Sequence, residues 1–435
     1  MDTFTLAKER ASDNRPINVG IIGAGKFASM FLNQVPHMAG LEVRAIADLS
    51  VERAKSACRV AGWTDERISA TEFLEDGSTL AVHDALDVVI EATGDPEAGL
   101  THADTAISHG KHVVMVNVEA DVLAGAALAK RAKAAGVVYT MAYGDQPALV
   151  AELIDWARAC GFSVVAAGKG TKYLPHYHSV TPDDVWTHYG LSPDAAAKAG
   201  MNPQMFNSFL DGTKSAIEMC AIANACGLEV PDDGLAFPPC GVDDLAHILR
   251  PQAVGGVLEK SGVAEVVSSL ERDGRPVYRD LRWGVYVVFE APNDYAQACF
   301  AQYGVKTDES GRYAALYRPY HMIGLELGIS VYQAALKGTA TGVTRAFSAD
   351  TVAVAKRDLS AGDLLDGEGG YTVWGKAIPA ARSLASAALP IGLSKGVTLQ
   401  KPVRKGQIVS KADIRPGAES RALKIRQEAE TLLGQ

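Results

Sequence analysis

From Asn18 to about Thr140, short apolar runs alternate with stretches of helical periodicity. Val19, Ile21 and Ile22 form a β-type run that ends in Gly23-Ala24-Gly25-Lys26-Phe27-Ala28. A helical stretch follows to about His37, and a second run over residues 41–47 ends in Asp48. The pattern then repeats. Residues 86–92 read as a buried strand ending in Thr93-Gly94, and residues 97–109 as a helix stopped by Gly110. Residues 111–116 are the next strand, ending at Asn117; residues 121–135 are a helix closed by Gly136, and residues 137–140 another strand. Strands alternating with helices predict a parallel, doubly wound sheet. Such sheets bind ligands at the carboxyl ends of their strands.

Asp145-Gln146-Pro147 opens a helix that runs to Cys160-Gly161, after which the character changes. Residues 162–167 are β-like, Gly168-Lys169-Gly170-Thr171-Lys172 reads as a glycine–lysine turn, and residues 173–200 are polar, aromatic and loop-rich. Residues 208–226 predict one amphipathic helix stopped by Gly227, residues 263–267 and 284–289 two strands, and residues 319–336 a helix. Residues 358–365 are echoed by residues 402–409, which suggests a small β-rich unit with pseudo-symmetric halves; residues 419–433 are an amphipathic helix. The expected organisation is α/β. An N-terminal Rossmann sheet spans residues 1–150 and an α+β substrate domain residues 151–348; a β-rich unit spans residues 349–417 and a terminal helix residues 418–435.

Composition narrows the function. A net charge of −9 over 435 residues argues against nucleic acid as the main partner, because phosphate binding needs a basic face. No apolar run reaches membrane-spanning length, and the N-terminus lacks the charged and apolar regions of a secretory signal. The 6 cysteines contain no CxxC pair and read as reduced thiols of a cytoplasmic protein. The expected partner is a small molecule.

The first glycine turn supplies the candidate chemistry. Gly23 permits a tight turn, Gly25 lets the backbone approach a pyrophosphate, and Ala28 lets helix and strand pack closely. Lys26 and Phe27 complete this turn, and Asp48 stands where a carboxylate accepts hydrogen bonds from the adenosine ribose. A dinucleotide is therefore expected, with Thr93, Gly94, Asn117 and Val118 lying along it towards the nicotinamide. Lys169 and Lys172 could bind an anion or donate a proton to a developing alkoxide. Lys214 and Glu218 share one helix face close to Asp211, either as an exposed salt bridge or as an acid–base pair. His176 and His178, with His188 nearby, read as two histidines on one side of a strand, for substrate hydrogen bonding or, less specifically, a metal. Arg318-Pro-Tyr320-His321 would bring Tyr320 and His321 near the site.

Beyond these motifs, the N-terminal half resembles the NAD-binding domain of homoserine dehydrogenases. Nearly the whole chain resembles the 1-deoxy-D-xylulose-5-phosphate reductoisomerase-like family. The matching segments are Val114-Met-Val-Asn-Val-Glu-Ala-Asp121, Ala167-Gly-Lys-Gly170, Thr181-Pro-Asp-Asp184, residues 209–219, residues 255–263 and Arg318-Pro-Tyr-His321. Residues 356–363, 389–393 and 403–408 resemble a SAF domain, a small β-clip module. The resemblance implies catalytic roles for Lys169, Lys172, Lys214 and Glu218. It implies substrate contacts from Glu119, Tyr173, His176, His178, Asp211 and His321, and a homodimer or higher homo-oligomer. Homoserine dehydrogenases carry an Asp and a Lys four apart where this chain has Lys214 and Glu218, so a different substrate is expected. Ala47-Asp48-Leu49-Ser50 has no arginine where NADPH-using relatives need one, and the Asp48 carboxylate should repel a 2′-phosphate, so NAD is expected over NADP. The reading is an NAD-dependent oxidoreductase acting on a sugar acid or branched polyol derivative, with no resident metal. The alternatives are a reductoisomerase using NADPH and a divalent metal, and an NAD-gated sugar-binding or sensor protein.

Overall fold

The alternation in the first third closes into one parallel sheet. Its strands are β1 (Ile17–Ile22), β2 (Leu41–Ala47), β3 (Glu72–Leu74), β4 (Val88–Glu91), β5 (His112–Met115) and β6 (Tyr139–Met141). They run in the order β3-β2-β1-β4-β5-β6, and every adjacent pair is parallel. Both faces are covered, which is why β1 and β4 are continuous apolar runs. Phe31 and Leu32 pack into the cluster on one face, Leu100 and Ala103 into the cluster on the other. The strand order reverses between β1 and β4, and the crevice for a ligand opens at that switch point. The structure, a computed structural model, describes residues 2–198 and 200–433.

A second sheet follows: β7 (Ser163–Thr171), β8 (Val263–Ser268), β9 (Val285–Glu290) and β10 (Tyr313–Arg318), in the order β10-β9-β7-β8. The helices Gln146–Ala159 and Thr213–Cys226 pack on one face; Cys240, Leu245 and Leu249 cover the other. The expected glycine–lysine turn is absent, because Gly168 to Thr171 belong to β7. A Cβ on Gly168 would lie 1.9 Å from the Glu265 carbonyl oxygen, and one on Gly170 2.0 Å from that of Leu281. The two glycines allow close backbone packing within the strand.

Two further expectations change. The helix expected over residues 208–226 is two helices, Pro203–Leu210 and Thr213–Cys226. They are broken at Gly212, whose φ of +90° lies in the left-handed region. The helix expected over residues 319–336 begins only at Gly328–Tyr332 and ends in a π turn, Gln333–Lys337. Gly324 has φ +71° and sits against the Phe27 carbonyl oxygen, where a Cβ would come within 2.5 Å. Strand β10 escapes a sequence reading because it is an edge strand whose burial does not alternate cleanly.

The C-terminal unit is built on the antiparallel pair β11 (Ala349–Ala355) and β12 (Val373–Pro379). Its two echoing segments pair with each other: Leu359 donates to the Val403 carbonyl at 2.8 Å and Val403 to that of Leu359 at 3.0 Å. The unit is tied to the Thr213–Cys226 helix. Asn224 donates to the Ala349 carbonyl at 3.0 Å and accepts from the Ser348 and Ala349 amides, and Thr213 accepts from the Gly375 amide at 2.8 Å. Among the described residues no helix is long and apolar enough to cross a membrane.

Candidate active site

The glycine turn forms a cradle at the end of β1. Gly23 has φ +95°, and a Cβ there would lie 2.6 Å from the Ala92 carbonyl oxygen, so only glycine fits. Gly25 is exposed, with nothing within 4 Å of a Cβ built on it. The helix Lys26–Gln34 starts on Gly25 without a side-chain cap, leaving first-turn N–H groups free for phosphate oxygens. Lys26 is exposed, Phe27 half-buried, and Ala28 buried against the sheet. Thr93 and Gly94 stand on an exposed loop after β4. Asn117 pins that loop by donating to the Asp95 carbonyl at 2.8 Å, and it caps the helix Val118–Ala135 by accepting from Ala120 at 3.1 Å. Val118, the next residue, is buried.

Asp48 differs from expectation. Its carboxylate is buried and accepts from the Ala24 amide at 2.9 Å, the Ser50 amide at 3.0 Å, and Arg53 Nη2 at 2.6 and 2.8 Å. Burial raises its pKa, but the hydrogen bonds from Arg53, Ala24 and Ser50 outweigh this and hold the acid below its usual range. Asp48 therefore fixes the glycine turn from below and is paired with a guanidinium whose side chain is 64% exposed. The negative charge expected to repel a 2′-phosphate is thus paired with Arg53.

Two residues past the end of β5, next to Asn117, begins a buried ionic cluster. The Lys214 ammonium pairs with Glu119, at the start of the Val118–Ala135 helix, and the Lys169 ammonium on β7 pairs with Glu218. Lys214 and Glu218, expected as each other's partners along one helix, thus take different partners and join three elements. Burial disfavours the Lys214 charge, but Glu119, Glu368, Glu218 and Asp145 more than compensate, so its pKa is raised and it stays an ammonium. Asp145 is buried and its pKa is raised by that burial and by Glu218, against the pull of Lys214 and His321. Glu368 comes from the C-terminal unit. Burial and the charge of Glu119 push it up to about 8, against Lys214 and a Ser208 hydrogen bond. Two ammonium groups thus share this region with four carboxyls, of which Asp145 and Glu368 have raised pKa values.

Asp211, just before the Lys214 helix, links residues 176–178 to the C-terminal unit. Residues Pro175–Ser179 form a 3-10 turn, which separates the two histidines expected on one side of a strand. His178 stacks on Trp374 at 3.8 Å, hydrogen-bonds the Tyr173 hydroxyl at 2.9 Å and donates through Nδ1 to the Asp211 carbonyl at 2.7 Å. Burial lowers its pKa, so the ring is neutral. Asp211 caps the Lys214 helix by accepting from the Thr213 amide at 2.9 Å and pairs with the buried Lys356 at 2.8 Å. His176 instead packs on Tyr177 and His188, with ring centroids 4.8 and 5.9 Å away. Lys172 donates to the His188 carbonyl, and the Arg282 guanidinium lies over Tyr189 and Trp283. Burial and Arg282 lower the Lys172 pKa, and burial, His176 and Lys172 lower that of His188. Lys172 and Arg282 thus carry positive charge on this side of the site, with the His176 and His188 rings beside them. Tyr173 is buried and stacks on Phe237 at 4.0 Å. Tyr320 is exposed, and His321 Nδ1 hydrogen-bonds the Trp283 carbonyl at 2.7 Å.

The cysteines stand apart from this chemistry. Burial pushes Cys58 and Cys226 up to about 11 and Cys240 up to about 12, so these thiols stay protonated. Among the described residues no three His, Cys, Asp or Glu side chains converge to hold a metal ion. Arg53, Asp145, Lys356 and Glu368 are the site residues a sequence reading misses. For Glu368 the signal was present in Asp366-Gly-Glu-Gly-Gly370, a lone acid among glycines.

Two family models match adjoining segments of the chain. Residues 17–143 match the model of an oxidoreductase family with an NAD-binding Rossmann fold, and residues 144–327 the catalytic domain of oxidoreductase DRL. A search of the curated proteins finds no match. Among solved structures, the chain is similar to biliverdin reductase in complex with biliverdin and NADP+ from Synechocystis sp. PCC 6803. That match is 18% identical, covers 37% of this chain and 48% of that one, and has a TM-score of 0.27. It is similar to KijD10, a 3-ketoreductase from Actinomadura kijaniata in complex with NADP and TDP-benzene, at 20% identity, 37% and 48% coverage and a TM-score of 0.27. A DOX-P reductoisomerase in complex with magnesium matches at 17% identity, 49% and 58% coverage and a TM-score of 0.34. The chain spans about half the length of these structures. The two oxidoreductase models lie end to end over residues 17–327, one describing an NAD-binding Rossmann fold and the other a catalytic domain.

Proposed function

We propose that the protein interconverts a carbonyl and a carbinol in a small, polyhydroxylated or hydroxy-carbonyl compound that carries an anionic group, such as a sugar acid. The observation that carries this reading is the pair of buried lysine–carboxylate contacts, Lys214 with Glu119 and Lys169 with Glu218, next to Asn117. When bound, the nicotinamide supplies or accepts the hydride. The Lys214 ammonium binds the substrate oxygen and stabilises negative charge there as the carbonyl is reduced. Lys169 and Glu218 hold one another in place, and Asp145 adds a buried carboxyl whose pKa is raised. Lys172 and Arg282 bind the substrate's anionic group, with His176 and His188 offering ring nitrogens for hydrogen bonds.

The residues present fit a dinucleotide. The cradle at Gly23 and Gly25 is open to a pyrophosphate, and the exposed Arg53 guanidinium stands on Asp48 beside it. We extend the cofactor reading to both NAD(H) and NADP(H), with Arg53 as the group that tolerates a 2′-phosphate. Arg53→Ala is expected to lower kcat/KM for NADP(H) by about tenfold or more and to leave that for NAD(H) within a few-fold, since an exposed charge–phosphate contact is lost. Equal losses for the two cofactors would instead mark Arg53 as a support for Asp48. The substrate reading is tested by thermal-shift screening of sugar acids and sugar phosphates with NAD or NADP present, followed by absorbance assays of NAD(P)H. A protein that neither dinucleotide stabilises, or that turns over none of these compounds, would overturn it.

A further inference from the structure

A cavity of about 250 Å³ lies between the helix Thr213–Cys226 and the C-terminal unit. Gly212 and Ala216 line it from the helix side. At 3.6 residues per turn, Ala216 points about 160° round the helix from Lys214 and from Glu218, so the cavity is on the far side from the ionic pairs. Its other walls are His178, the loop around Gly234 and residues 374–377 of β12. The loop is held from several sides. Glu265, buried on β8, accepts from the Ala236 amide at 3.0 Å, the Phe237 amide at 3.3 Å and the Val266 amide at 2.8 Å. Arg272 donates to the Ala236 carbonyl at 2.9 Å, and Arg382 to that of Asp232. These bonds accompany a φ of +50° at Phe237, a left-handed conformation that a bulky residue rarely adopts. Strain of this kind persists where the surroundings impose it, and it collects at ligand sites. Here it sets the Phe237 ring, stacked on Tyr173, into the cavity wall.

The lining is aromatic with one cation. Trp374 is stacked on His178, and His178 spends both ring nitrogens on the Tyr173 hydroxyl and the Asp211 carbonyl, so it offers the cavity no polar atom. Lys376 is half-buried, and among the described residues its ammonium makes no ion pair within 4 Å and no side-chain hydrogen bond. Asp233 acts on it from further off, at the rim, with a side chain that is 94% exposed and lies 3.5 Å from Arg382. Burial and the Arg382 charge lower the Lys376 pKa against the pull of Asp233, and an anion at the ammonium would offset that cost. We propose that this cavity is a ligand site separate from the catalytic one, and that it takes a small flat carboxylate such as an aromatic acid. The carboxylate pairs with Lys376, and the ring packs on Trp374 and Phe237. The volume is below the roughly 300–1,000 Å³ of sites for drug-sized ligands, which suits a single-ring compound. A phosphate monoester brings nearly two negative charges, and one ammonium with Asp233 at the rim does not balance them. The bound acid bridges the loop and β12 and so ties the C-terminal unit to the rest of the chain.

Isothermal titration calorimetry of the full-length protein with benzoate and cinnamate tests this, with benzamide as the neutral counterpart of benzoate. At least one of the acids should bind the wild type saturably and raise its thermal midpoint, because it binds only the folded chain. Benzamide should bind about tenfold or more weakly than benzoate, and Lys376→Met should weaken the acids by about tenfold or more, since each change removes a charge-assisted hydrogen bond. Arg282→Ala, which alters the cations assigned to the substrate, should leave acid binding within a few-fold. Absence of saturable binding by both acids overturns the proposal, as does equal affinity for benzoate and benzamide or an unchanged affinity in Lys376→Met. A loss in Arg282→Ala as large as that in Lys376→Met would put the acid in the catalytic site and overturn it too. Methionine keeps the length of the half-buried side chain, so the variant should fold; the comparison of benzoate with benzamide on the wild type decides the question without it. These measurements read binding alone, so they stand even where the substrate screen returns no turnover.

Discussion

Lys214→Met is expected to remove turnover, with a loss of about 10²–10⁴ in kcat, while NAD(P)H binding measured by fluorescence titration stays within a few-fold of the wild type. The reason is positional. Lys214 is the ammonium paired with Glu119, its charge sustained by Glu119, Glu368, Glu218 and Asp145, whereas the dinucleotide cradle at Gly23 and Gly25 is formed by other elements. Methionine preserves the length of the side chain and removes the charge. The carboxyls left behind then carry surplus negative charge and take up protons, so the variant should still fold. Substrate oxygen loses its cationic partner, and no neighbouring group replaces it, because Lys169 is committed to Glu218. Near-normal turnover in Lys214→Met would sink the assignment of the site.

A second large effect is expected far from the chemistry. Arg426→Ala should destabilise the protein by about 3–5 kcal/mol, read as a shift in the urea unfolding midpoint. Arg426 is 1% exposed and forms a fork with Asp350 at 3.1 and 2.7 Å. It also donates to the Leu123 carbonyl at 3.0 Å and to Glu430 at 2.9 Å, and its guanidinium lies 4.4 Å over the Phe347 ring. It is thus the rivet between the last helix, Arg421–Glu430, β11, and the Val118–Ala135 helix that carries Glu119. Removing it strands the Asp350 carboxylate in the interior with only the Ser383 hydroxyl, at 2.6 Å. The double variant Arg426→Met, Asp350→Leu should recover much of the loss, because a buried pair replaced by apolar groups no longer leaves a bare charge. A single-variant loss below about 1 kcal/mol would show that the fork is not needed for folding.

Much of the cofactor half was legible in the chain. Gly23, Gly25, Asp48 and Asn117 could be placed by rule because each belongs to a local unit of strand, turn and helix, in which spacing fixes position. The substrate half was legible only in part. Lys169, Lys214, Glu119 and Glu218 could be singled out, but their partners could not. The helical spacing of Lys214 and Glu218 points to a pair along one helix. The actual pairs cross from that helix to β7 and to the Val118–Ala135 helix, because buried charges take the partner that the packing of elements presents. The glycine–lysine segment shows the same limit. Gly168 and Gly170 suggest a turn from composition, yet they are needed where β7 passes close to the Glu265 and Leu281 backbones, a constraint set by chain far away. Asp48 stands at the end of β2, but its pairing was not legible, since Arg53 closes on it from the following helix.

By itself, the sequence determined what short-range physics controls. It set the alternation of strands and helices, the glycine turn that admits only glycine at Gly23, the acid at the end of β2, and the paired repeat of the C-terminal unit. Only the tertiary structure decided which charges meet. It drew Glu119, Lys169, Lys214 and Glu218 from three elements into two buried pairs, turned His178 away from His176, and brought Glu368 across from the last unit. Local order follows from propensity and spacing over a few residues. The pairing of buried charges depends on burial and on neighbours tens or hundreds of residues away, and these exist only once the chain has packed.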